Sequence, residues 1–160
     1  MKKFPVFLII FILAGCATTS PLKYYYQSEG TYDAAYDEVF DVAVSFINET
    51  TMTIKTAEIS SGTVVSEEFK VPYEGFLYKS SYCDCGSLSG LKTYHEIIGK
   101  FYVYIENLEN DKISVHVETE YRASLWSGKD FKGWVDCVTK GYLEQAFFRS
   151  LHSGLRASAR

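Results

Sequence analysis

Apolar and polar positions change period several times along this chain. From Thr31 onward, Tyr36, Val39, Phe40, Ala43, Phe46 and Ile47 recur every three or four residues, the spacing of one helix face. Asp33, Asp37 and Glu38 stand near the start of that run, where carboxylates complement the helix dipole, and Thr31 or Asp33 can cap it. A helix is therefore predicted over 33–49. The period then drops to two: Met52, Ile54 and the flanking threonines alternate, 58–62 reads as a turn, and 63–69 returns as a second strand. Pro72 and Gly75 interrupt the chain, 76–85 reads as a third strand, and 86–91 as a loop.

The clearest hairpin follows. His95, Ile97, Gly99, Phe101, Val103 and Ile105 alternate on one face, 107–111 turns the chain, and Ile113, Val115, Val117, Thr119 and Tyr121 alternate again. Ser114, His116, Glu118, Glu120 and Arg122 stand opposite, so one face is apolar and the other wet, the mark of an antiparallel sheet covered on one side. Residues 123–138 read as a long loop carrying Trp126, Phe131 and Trp134. Thr139 can cap a last helix over 140–154, with Leu143, Ala146, Phe147, Ser150 and Leu151 inward. The expected fold is α+β: a two-layer domain in which an antiparallel sheet of about five strands carries an N-terminal and a C-terminal helix on one face.

The first residues change the picture. Lys2 and Lys3 precede an almost wholly apolar run, Phe4–Leu13. It is too short for a stable span, which needs about 20 apolar residues, and it fits the apolar region of a secretory signal. The signal ends in Leu13-Ala14-Gly15-Cys16, which resembles the lipobox of bacterial lipoproteins. That resemblance implies cleavage after residue 15 and lipid on Cys16; two or more acyl chains hold a protein on a membrane without any spanning helix. Ala17 in place of Asp implies sorting to the outer membrane, with the domain facing the periplasm of a Gram-negative cell. The expected organisation is a signal peptide over 1–15, a lipidated cysteine and tether over 16–30, and one globular domain over 31–160.

The formal charge is −4, and it becomes more negative once Lys2 and Lys3 are removed. An acidic domain with no basic cluster excludes nucleic-acid binding. Tyrosine, phenylalanine and tryptophan together make up 16 % of the chain, a share that a core of tyrosine and phenylalanine largely absorbs.

The folded part resembles the small helix-and-sheet domains of outer-membrane lipoproteins, including the BamC-type accessory component of β-barrel assembly. The matching stretches are "YDEVFDVAVSFI" leading into "TMTIKTAEISSGTVVSE", and "DCG" followed far downstream by "CVTKGYLEQAFF". The co-occurrence of "DCG" with a later C-x-x-x-G-x-L-E in such lipoproteins implies that Cys85 and Cys137 belong together; Cys83 is an addition to that pattern. A bond between them would tie the sheet to the last helix, with a chain-entropy contribution of roughly 4 kcal/mol, in a compartment where disulfides persist. Two other uses remain open. Cys83, Cys85, Cys137 and a histidine such as His95 would make a zinc set, although C-x-C is not the usual knuckle. Redox catalysis commonly uses C-x-x-C in a βαβ setting, which this is not. The bridge is the preferred reading, with no metal and no cofactor.

No G-x-S-x-G, H-E-x-x-H or glycine-rich phosphate loop is present. His116 sits among charges on the wet strand face, and the adjacent Glu67 and Glu68 point apart on a strand, unlike a glycosidase pair. The chain therefore reads as a non-enzymatic accessory module that meets an envelope protein partner, or, as the alternative, a carrier of a small molecule or lipid. Trp126 and Phe131 are the candidate partner-binding residues, since tryptophan is enriched at binding hot spots. Trp134, nearest Cys137, is assigned to the core.

Overall fold

A computed structural model describes residues 20–50, 52–72, 80–88 and 90–158. Cys16 and residues 1–15 lie outside the described residues, as do residues 73–79, which include the first part of the third strand expected over 76–85. The order is β1 (Glu29–Tyr32), α1 (Tyr36–Glu49), β2 (Ile54–Glu58), β3 (Thr63–Ser66), β4 (Phe69–Lys70), β5 (Cys83–Asp84), β6 (Lys92–Asn107), β7 (Ile113–Ser127), β8 (Asp130–Thr139) and α2 (Tyr142–Ser158). The fold is the expected α+β arrangement, but the antiparallel sheet has eight strands rather than about five.

The two long strands β6 and β7 form the centre. Along the outer edge of β6, β3 and β4 follow end to end; along β7, β1 and β8 do the same. Glu29 and Gly30, placed in the tether by sequence, pair with His116 and Val115 of β7. The preceding residues also touch the domain: Leu22 N and the Tyr24 hydroxyl both donate to Asp84 Oδ2, at 3.1 and 3.2 Å, and Ser28 O accepts from Val117 N.

Both helices cover one face of the sheet. Val39, Phe40, Ala43, Phe46 and Ile47 of α1 are buried, as the period of the sequence implies. Phe46 meets Phe101 of β6 at 5.5 Å and Phe147 of α2 at 5.4 Å between ring centroids. Each such ring removes 150–250 Å² from water, so this three-way contact joins both helices to the sheet. Neither Thr31 nor Asp33 caps α1: Ala35 stands at the N-cap without a side-chain bond, and the helix starts three residues later than expected. At the start of α2, Thr139 Oγ1 accepts from Gly141 N at 3.0 Å, with Gly141 at a positive φ of 76°, the left-handed region that glycine tolerates. A side chain there would also collide with Tyr26, 2.3 Å from an added Cβ.

Among the described residues no helix is long and apolar enough to cross a membrane.

Candidate functional site

Strand register places the aromatic residues. Arg122, Ser124 and Trp126 alternate with the buried Tyr121 and Ala123, so they face away from the helices. Across the ladder, Asp136 pairs with Arg122, Trp134 with Ser124, and Phe131 with Trp126. Trp126, Phe131 and Trp134 therefore share the helix-free face of the β7–β8 hairpin. Their centroids lie 5.5 Å apart for Trp126–Phe131 and 6.4 Å for Phe131–Trp134.

Two expectations are corrected here. Residues 123–138 are not a long loop but two paired strands joined at Gly128 and Lys129. Trp134 is not in the core; it is 43 % exposed and Phe131 is 49 % exposed. Proximity to Cys137 did not bury Trp134 because residues three apart on a strand face opposite sides: Cys137 pairs with the inward Tyr121. Trp126, expected to be the exposed residue, is half-buried. It stacks on His95 at 4.8 Å with only 14° between the rings, and its indole N–H is buried without a hydrogen-bond partner among the described residues.

A bulge explains the place of His95. The β6–β7 register shifts between Tyr94 and Ile97, so Tyr94 turns inward and His95 outward, against the unbroken alternation predicted from sequence. Bulges re-aim side chains in this way. Ser124 fills the irregularity: its Oγ accepts from Glu96 N at 3.0 Å. The result is a groove of about 420 Å³ lined by His95, Glu96, Ser124, Trp126, Phe131 and Trp134, with Lys70 at its rim. Lys70 Nζ pairs with Glu96 at 2.9 Å. The Arg122 guanidinium donates to Glu68 at 2.6 Å and lies 5.9 Å from the Trp134 ring centre. Further along the same face, the Tyr102 hydroxyl donates to Glu120 at 2.7 Å. Partial burial, then that carboxylate, hold the Tyr102 phenol well above its ordinary value. This surface presents aromatic rings and hydrogen-bonding groups, with paired charges at its margin.

The cysteines form a separate centre. Cys85 and Cys137 are bonded, the pairing the sequence reading preferred. Cys83 is free and buried. Burial pushes its thiol up to about 11, against smaller opposing effects of Ser80 and Lys140. Asp84, between the two cysteines, would be raised by its burial; hydrogen bonds from Gly86 N, Leu22 N and the Tyr24 hydroxyl nevertheless hold it below the ordinary carboxylate value. His95, the possible fourth zinc ligand, stacks on Trp126 instead.

Sequence reasoning missed Trp134 and His95 as members of the aromatic groove, and Arg122 over the Trp134 ring beside it. The signal was available in the alternation Trp134-Val135-Asp136-Cys137, which reads as a strand once Ser127-Gly128-Lys129-Asp130 is taken as a hairpin turn.

The chain matches no protein-family model and no curated protein sequence.

Proposed function

We propose that this chain is a lipid-anchored domain of the bacterial outer membrane, facing the periplasm, that binds an envelope protein and catalyses no reaction. The observation that carries the reading is the aromatic surface of the β7–β8 hairpin. Phe131 and Trp134 stand half-exposed beside each other on a sheet face that neither helix covers. Grouped exposed aromatics of this kind mark interaction sites, and tryptophan and arginine are the residues most often found at binding hot spots. Arg122 lies over Trp134 with its charge already paired to Glu68, so a partner could approach without leaving it unpaired. The anchor rests on the Leu-Ala-Gly-Cys sequence ending at Cys16.

The carrier reading, in which the sheet and a helix enclose a pocket, draws on a cavity of about 280 Å³ between the helices and the sheet, lined by residues that include Phe46, Met52, Phe69 and Leu143. It falls just below the usual range for small-molecule sites, about 300–1,000 Å³.

Both parts of the proposal can be tested in the membrane-bound protein. A photo-crosslinking residue at position 131 should capture one defined envelope protein. Trp134→Ser should abolish that capture, while Glu49→Gln on the far side leaves it intact. Cys16→Ser should release the protein from membranes. Capture that survives Trp134→Ser, or a tightly bound lipid in native mass spectra with no protein captured, would overturn the binding-module reading.

A further inference from the structure

We infer that Cys83, Cys85 and Cys137 become, once the bridge between the last two is reduced, a three-thiolate site for a soft monovalent cation of the Cu(I) type. The fold assembles the sulfurs. β5 pairs with β8 antiparallel, Cys83 opposite Thr139 and Asp84 opposite Val138, so the chain brings Cys85 to Cys137. Residues two apart on a strand share a face, and Cys83 therefore stands beside the bridge. All three sulfurs lie within 4.8 Å of one another. A structural bridge needs two of them; the third has no part in it.

The chemistry of the set selects the ion. Thiolates favour soft cations such as Cu(I) as well as zinc, but structural zinc takes four nitrogen or sulfur ligands. Among the described residues, no histidine or carboxylate joins the three sulfurs. Asp84 is held by Leu22, Tyr24 and Gly86. Three-coordinate thiolate binding suits Cu(I). With metal–sulfur bonds of about 2.3 Å, three sulfurs around one ion sit roughly 4 Å apart, within the spacing the fold already sets. Lys140, whose ammonium donates to Ser80 O at 2.6 Å, brings a positive charge that acts on Cys83 and offsets the charge of the thiolates. Access is present too: Cys83 and Cys85 both line an open cleft of about 720 Å³, together with Tyr94 and Lys140.

The oxidised protein cannot bind in this way. A small dithiol must first supply two electrons and two protons: the Cys85–Cys137 bond opens to two thiols and the reductant closes to a cyclic disulfide. Binding of Cu(I) then displaces thiol protons.

The test uses the mature chain without its lipid, reduced by dithiothreitol and desalted without oxygen. Titration with Cu(I)-bicinchoninate should transfer one equivalent to the reduced protein and none to the oxidised protein. Zinc in equal amount should not displace it. X-ray absorption of the loaded wild type should count three sulfurs near 2.3 Å, and Cys83→Ser should no longer withdraw the ion. Two sulfurs, equal withdrawal by Cys83→Ser, or a reduced chain that unfolds and is not restored by Cu(I) would each overturn the site. Because the absorption measurement uses the wild type, the proposal remains testable even where Cys83→Ser fails to fold.

Discussion

Glu144 should be replaceable by glutamine with a gain in stability that appears only above acidic pH. It lies in the first turn of α2 and is fully buried. One carboxylate oxygen accepts from the Thr139 hydroxyl at 2.9 Å. The other is buried without a hydrogen bond among the described residues, near the Thr119 and Tyr121 hydroxyls. A helix N-terminus favours negative charge by about 0.3–1 kcal/mol at exposed sites, but burial wins here and holds Glu144 above its ordinary value of 4.5. An unsatisfied buried acceptor costs about 1–3 kcal/mol, more when charged. Glutamine keeps the shape and the Thr139 contact, carries no charge, and can donate to the neighbouring hydroxyls. Glu144→Gln should therefore stabilise by about 1–3 kcal/mol at pH 8, raising Tm by roughly 2–4 °C per kcal/mol. The pH dependence follows from linkage. Below 4.5 the glutamate is protonated in both states and the two proteins should match. As pH rises past 4.5, the unfolded chain releases its proton while the native state retains it, so wild-type stability falls until the native group ionises as well. Denaturant unfolding of both proteins between pH 4 and 8 measures the difference. A glutamine variant less stable than wild type at pH 8 would show that the buried carboxylate is well satisfied, and would refute the reasoning.

Cys137→Ala opens a loop with a sequence separation of 52 and should cost roughly 4 kcal/mol on the chain-entropy account, read as a lowered denaturant midpoint relative to the oxidised wild type. Gly99→Ala places a Cβ 2.6 Å from the Phe69 ring and 2.8 Å from the Tyr121 ring; overpacking of this kind should cost about 1–3 kcal/mol, and a thermal melt unchanged from wild type would mean both rings shift freely. Phe131→Ala and Trp134→Ala, on the exposed face, should each cost under about 1 kcal/mol, whereas Phe147→Ala in the core should cost about 3–5 kcal/mol; equal losses would place the hairpin aromatics in the core after all.

Elements whose buried face has a simple period were legible. The inward residues of α1 and the β6–β7 pairing from Ile97 to Tyr121 follow directly from spacing. Three features were not, each for a physical reason. The bulge before Ile97 breaks the alternation by one residue, and only contact with Ser124 reveals it. β8 presents large aromatics to the helix-free side, so its binary pattern resembles neither a half-buried strand nor a polar loop. β1 is short, and its burial alternates only weakly, so its backbone pairing with β7 leaves little mark on the sequence. The bridge was anticipated, but the nearness of the third sulfur depends on the β5–β8 register, which two residues of strand cannot announce. Glu144 illustrates the same limit: at an inward helix position, a glutamate looks from sequence like a solvated first-turn acid.

The hydrogen bonds from Leu22 and Tyr24 to Asp84 set a geometric limit on where the domain can sit. They fasten the incoming chain beside Cys83 and Cys85, so any attachment at Cys16 acts from that corner. Only six peptide steps separate Cys16 from Leu22, which at about 3.3–3.6 Å each reach no further than roughly 20 Å. With lipid on Cys16, the corner holding the sulfurs would ride within roughly 20 Å of the bilayer surface, and the domain would pivot about it on a short leash. Lengthening the 17–21 segment by a dozen flexible residues would loosen that pivot while leaving every contact inside the fold unchanged.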